Sequence, residues 1–130
     1  MLDKISTVVG VLLVVFFLLH SPAFGKEVIH VVGSEFSPDR LEINTCEEIE
    51  FINVDRVDHQ FQYFVNGAKR TLYLLGQGVA GSPAPDTRII ELDSGTYEFR
   101  CIPHPWMHKL TIHVEVDDEK CRAERNSPPR

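Results

Sequence analysis

Cys101, His104 and Met107 stand in the stretch FRCIPHPWMHKL (99–110) as Cys-x-x-His-x-x-Met, with Pro103, Pro105 and Trp106 between them. Thiolate and thioether are soft donors and imidazole is intermediate. Two imidazoles, one thiolate and a weak axial thioether together select copper and make a one-electron site. The stretch carries three of these donors, so the second imidazole must arrive from elsewhere. His59, in NVDRVDHQFQYF, follows a turn-like run and opens a strand-like one, which makes it the candidate. With all four positions filled by protein, no coordination place stays open for a substrate, and this argues against an enzyme.

The elements that must position these residues read as short strands. EVIHVVG (27–33), RLEIN (40–44), EIEFINV (48–54), HQFQYFV (59–65), TLYLL (71–75), TRIIEL (87–92), TYEFRC (96–101) and KLTIHVEV (109–116) are rich in β-branched and aromatic residues, and several alternate with period two. In the last, Leu110, Ile112, Val114 and Val116 share one face while Lys109, Thr111, His113 and Glu115 share the other. SPD, NG, GQGVAGSPAPD and DSG punctuate the gaps. No 3.6-residue period is sustained after residue 25. The fold class predicted is an all-β Greek-key sandwich of about eight strands, occupying 26–116, with 117–130 a polar, proline-ended tail beyond the last strand, mobile or tethered by a disulfide.

SGTYEFRCIPHPWMHKLTIHVEV resembles the copper-loop region of the amicyanin, plastocyanin and pseudoazurin family of blue copper proteins, the cupredoxins. The short spacing, with Pro105 after the histidine, looks most like amicyanin. FSPDRLEINTCEEIEFINVDRVDHQF is similar to the family's approach to its first histidine, so the resemblance spans roughly 27–116. It implies His59, Cys101 and His104 as equatorial ligands of one copper ion and Met107 as the weak axial one. It further implies an electron carrier that cycles between Cu(II) and Cu(I). Four features depart from the family pattern. Gln60 stands where asparagine is frequent, Trp106 stands where phenylalanine is usual, no glycine closely follows Met107, and Cys46 and Cys121 are additional.

The other histidines fit poorer roles. His108 is expected to face solvent, His113 to lie on an outer strand face, and His20 to be lost with the leader, while His30 is assigned none. Pro103 has no N–H to offer the cysteine sulfur, which leaves the thiolate electron-rich and favours Cu(II). Pro103, Pro105 and Trp106 are the expected docking surface around His104, the ligand through which electrons pass.

The first 25 residues read as a signal peptide. Lys4 precedes the apolar run VVGVLLVVFFLL (8–19), which is short of the roughly 20 residues a spanning helix needs, and Ala23-Phe24-Gly25 offers small residues for cleavage. The other reading is an uncleaved anchor. Export to a periplasm or similar oxidising compartment leaves Cys46 and Cys121 as an even pair once Cys101 is a ligand, to be bridged, left free or paired between molecules. The net charge of −6 disfavours nucleic acid and anionic membranes. It points to a redox partner with a basic face, such as a c-type cytochrome or a periplasmic dehydrogenase, met by a monomer. The rival functions are copper trafficking or storage, which Met1 and Met107 as the only methionines serve poorly, and a metal-free adhesion module.

Overall fold

Alternation decides which side each strand buries. Tyr97, Phe99 and Cys101 point inward from one strand, Leu110, Ile112 and Val114 from the next, and Ile49, Phe51 and Asn53 from a third, with polar or half-exposed residues between them. The computed structural model describes residues 25–78 and 84–126. Along these run β1 (Glu27–Val32), β2 (Glu35–Ser37), β3 (Arg40–Asn44), β4 (Ile49–Asn53), β5 (His59–Val65), β6 (Ala68–Leu74), β7 (Asp86–Ile90), β8 (Gly95–Cys101), β9 (Leu110–Glu115) and one helix, α1 (Asp118–Arg125).

The strands form a four-stranded sheet, β2-β1-β4-β7, and a five-stranded sheet, β3-β9-β8-β5-β6. The pairs β1/β4 and β3/β9 are parallel and the others antiparallel. The chain changes sheet after β2, β3, β4, β6 and β7, so each inner face is built from segments distant in sequence. Between the sheets lies an aromatic core. Phe36 and Phe61 have ring centroids 4.7 Å apart, Phe51 and Phe99 5.4 Å, and Tyr63 stacks on Phe99 at 4.4 Å. Burying each such ring contributes about 1.5–3 kcal/mol.

The all-β sandwich read from the sequence is borne out, and the described residues hold nine strands, because Glu35–Ser37, overlapping the stretch read as a turn, pairs with β1. In the tail, Asp118–Arg125 is helical. Asp117 caps this helix, its carboxylate accepting the Lys120 N–H at 2.9 Å, and Asp118 and Glu119 favour the first turn. Cys121 on α1 is bonded to Cys46 in the β3–β4 turn, with Cα atoms 5.5 Å apart. Lys120 reaches Glu47 of the same turn at 2.5 Å.

Register fixes the ends of the sandwich. Phe61 pairs with Cys101, so the start of β5, with His59, and the end of β8, with Cys101, lie at the same end. The β3–β4 turn, the end of β9 and α1 gather at the other. The expected leader lies outside the described residues apart from Gly25. No helix among the described residues is long and apolar enough to cross a membrane.

Candidate metal centre

His59, Cys101 and His104 converge. His59 Nδ1 lies 3.6 Å from Cys101 Sγ and 3.3 Å from His104 Nδ1, and His104 Nδ1 lies 3.4 Å from the same sulfur. Among the described residues this is the group of His, Cys and acidic donors placed to hold an ion. At bond lengths of about 2.0–2.3 Å, three donors surrounding one ion in a plane stand roughly 3.5–3.7 Å apart, so the spacing suits a metal held in common. His59 and Cys101 are buried and His104 is half-buried. Met107 is buried in the same loop, and its N–H donates to the His104 carbonyl at 3.0 Å, closing the turn that carries both.

The loop between β8 and β9 presents Ile102, Pro103, Pro105 and Trp106 to solvent. Trp106 is 71% exposed and meets the His104 ring edge-on, with centroids 5.2 Å apart. His108 and His30 are exposed. His113 lies on the outer face of β9, close to Thr96 Oγ1 at 2.9 Å. None of these three joins the cluster.

No protein-family model and no curated protein matches the chain. Solved structures do. An oxidised methionine-to-leucine variant of amicyanin aligns with a TM-score of 0.55, at 18% identity, over 72% of this chain and 85% of that one. A reduced proline-to-phenylalanine variant of amicyanin gives 0.54 with the same identity and coverage. A reduced Cu(I) form of a further amicyanin variant gives 0.55, again at 18% identity, over 72% and 85% of the two chains.

The fold is that of amicyanin.

Within this amicyanin fold, the loop carrying His59 is braced by residues that the reading of the sequence passed over. Asp55 accepts the His59 Nε2–H at 2.9 Å, which turns Nδ1 toward the cysteine sulfur. The same carboxylate accepts the N–H groups of Gly33 at 2.6 Å and Ser34 at 2.8 Å. Burial opposes its charge, but the Ser34 N–H, the His59 ring and the Gly33 N–H outweigh burial and hold the carboxyl below its usual range. Asn53, fully buried, donates to the carbonyls of Val57 at 3.0 Å and Leu75 at 2.9 Å and accepts the Asp55 N–H at 3.0 Å. Asp58 accepts the Tyr73 hydroxyl at 2.6 Å and the Gly76 N–H at 2.7 Å. Gly76 passes so close to the 54–58 loop that a Cβ there would lie 2.3 Å from the Arg56 carbonyl oxygen. The available signal was three polar side chains, Asn53, Asp55 and Asp58, crowded just before a histidine.

Burial pushes the Cys101 thiol up, opposed by the backbone N–H groups of Gln60 and His104. This amends the expectation for Pro103. It contributes no donor itself, yet the sulfur has two from neighbouring residues, so its electron density is not left unopposed. Gln60 also acts through its main chain as a brace, its carbonyl accepting the Ile102 N–H at 2.9 Å.

Asp55→Asn is expected to weaken metal binding by about 10–100-fold, because an amide leaves the His59 ring less basic and less firmly oriented. Without metal, the native carboxyl's lowered pKa stabilises the fold at pH above the group's ordinary value of 3.8, and that contribution is lost as pH falls below it and through the lowered one. Thermal melts of the metal-free pair should therefore converge in acid. Equal metal affinity in the two proteins would remove Asp55 from the centre.

Proposed function

We propose that the protein is an exported mononuclear blue copper electron carrier, with His59, Cys101 and His104 as its strong ligands and Met107 as the weak axial one. The convergence of two imidazole Nδ1 atoms and one thiol within 3.3–3.6 Å carries this reading. Bound there, copper would supply one-electron exchange between Cu(II) and Cu(I). The chain's own residues do the rest. The sandwich fixes His59 and Cys101 from β5 and β8, and Pro103 and Pro105 restrict the loop by fixing φ. Burial of the sulfur excludes water, and the Asp55 carboxylate holds one imidazole in a single orientation whichever oxidation state is present. A trafficking or storage site would need ligands that exchange readily, whereas His59 is 0% exposed.

Loading the protein with copper and recording visible and paramagnetic resonance spectra tests the proposal. One copper per chain with an intense visible band is expected. A pale, tetragonal Cu(II) spectrum overturns it.

Redox partners, a c-type cytochrome or a periplasmic dehydrogenase, would meet Pro103, Pro105 and Trp106 around His104. Trp106 is 71% exposed, and a rigid exposed aromatic of this kind anchors short-lived encounters. Trp106→Ala should slow bimolecular transfer about tenfold while the visible spectrum stays unchanged. A variant with an altered spectrum and undiminished transfer would make Trp106 a seal instead. Export is supported by the apolar leader and by a disulfide between Cys46 and Cys121, a bond that persists in oxidising compartments.

A further inference from the structure

We infer that removing the leader after Gly25 creates a ligand for the fold itself, the α-ammonium of Lys26, which the Glu47 and Glu27 carboxylates capture. The inference rests on the export reading and adds to it a site where processing and folding meet. Gly25 is the small residue that a leader peptidase needs beside its cleavage point, and it lies against acids. A Cβ built on it would stand 3.2 Å from Glu47 Oε1 and 3.6 Å from Glu27 Oε1. Lys26 begins two covalent bonds from the Gly25 Cα. An amine freed there falls within the few ångströms over which opposite charges couple strongly.

Glu47 makes the site demand a cation. It is 7% exposed, and a carboxylate so buried needs its charge matched. Its Oε2 accepts the Asn44 N–H at 2.8 Å, and its Oε1 meets Lys120 Nζ at 2.5 Å. Each carboxylate oxygen accepts about two hydrogen bonds, so Oε1 can take a second donor. Lys120 answers one of the two carboxylates that approach Gly25, and no salt bridge among the described residues answers Glu27. The Lys26 side chain is committed elsewhere, with its Nζ 3.0 Å from Glu50. Its backbone nitrogen carries no charge while it remains an amide. Hydrolysis of the Gly25–Lys26 peptide bond by a leader peptidase changes that. Water adds across the bond: its oxygen leaves on the leader as the Gly25 carboxylate, and its two protons complete the Lys26 ammonium.

The captured amine ties the start of β1 to the corner that already holds the other end of the chain. Glu47 follows Cys46 and Lys120 precedes Cys121, so disulfide, ion pair and new terminus meet there. The Glu27 N–H donates to the Glu48 carbonyl at 2.9 Å and keeps β1 beside that turn. Before export the corner has neither its bridge nor its ammonium. The fold gains both ties in the oxidising compartment where it works.

The test compares the copper-loaded chain beginning at Lys26 with the same chain acetylated on its α-amine. The acetyl group puts back the Gly25 Cα and carbonyl, so shape is kept and only the charge is lost. Acetylation should lower the melting temperature by about 5 °C, and in Glu47→Gln it should change nothing. An equal effect in both backgrounds, or none in the native one, overturns the capture. Should Glu47→Gln fail to fold, NMR titration of the native α-amine decides. A pKa above the ordinary value of about 8 is expected, and one at or below it overturns the capture. Mass spectrometry of the exported protein should give a chain beginning at Lys26. A start elsewhere overturns the inference, and a retained leader rejects the export reading with it. The visible spectrum should be the same in every form. A missing coloured site rejects the copper reading alone, and the melts are read independently of it.

Discussion

Replacing Cys101 with serine should remove the visible colour of the copper-loaded protein entirely. The band arises from charge donated by a thiolate into Cu(II), and Cys101 is the free cysteine of the chain, the other two being bonded to each other. Serine keeps the shape of the side chain, so the strand β8 and its inward alternation are undisturbed, but an alcohol does not ionise in a buried site. Copper would then face two imidazoles and a neutral oxygen, a set without the soft donor that also suits Cu(I). Affinity should fall by more than about 100-fold, beyond the range for losing an outer-shell partner. The metal-free variant should melt close to the native protein, since one small buried side chain replaces another. A variant that keeps an intense visible band would exclude Cys101 from the ligands and with it the whole centre proposed here.

The parts of this centre differ in how legible they were, and distance along the chain explains it. Cys101, His104 and Met107 occupy seven consecutive positions, so their spacing is a local signal. His59 was found because a strand begins with it, and strands announce themselves by period-two alternation. Asp55 carries no such mark. Its partners Gly33 and Ser34 lie 22 and 21 residues away, on a turn that only the β1/β4 pairing brings near. The same holds for Asn53, which reaches the Leu75 carbonyl across 22 residues. The strand β2 was missed because three residues beside a proline offer too short a pattern, and its pairing with β1 is what defines it. The helix α1 lacked an apolar stripe, leaving only the Asp117 cap and an acidic first turn as signals.

The second large effect concerns the end of the sandwich away from the metal centre. Removing the bond between Cys46 and Cys121 by substituting both with alanine should cost about 4 kcal/mol of stability, the chain-entropy value for a closed loop of that length. The bonded residues are separated by 75 positions, and the segment between them holds β4 to β9. Untying it enlarges the unfolded ensemble for most of the fold at once. In a domain of this size the change corresponds to a fall in melting temperature of about 20 °C. The helix α1 should detach first. It has eight residues, too few to be stable alone, and the Lys120–Glu47 ion pair is a further tie. Glu47 is buried and would keep the Asn44 N–H, at 2.8 Å, but lose that cation once Lys120 leaves. Amide exchange should therefore accelerate in residues 118–123 well before the strands open. The copper spectrum should stay as it was, because His59, Cys101 and His104 lie at the opposite end. Denaturant unfolding of the double variant provides the measurement. A loss below about 1 kcal/mol, outside the usual 2–4 kcal/mol for such a bond, would show that the bridge does not hold the fold together, and peptide mapping that finds both thiols free in the native protein would show that it does not form.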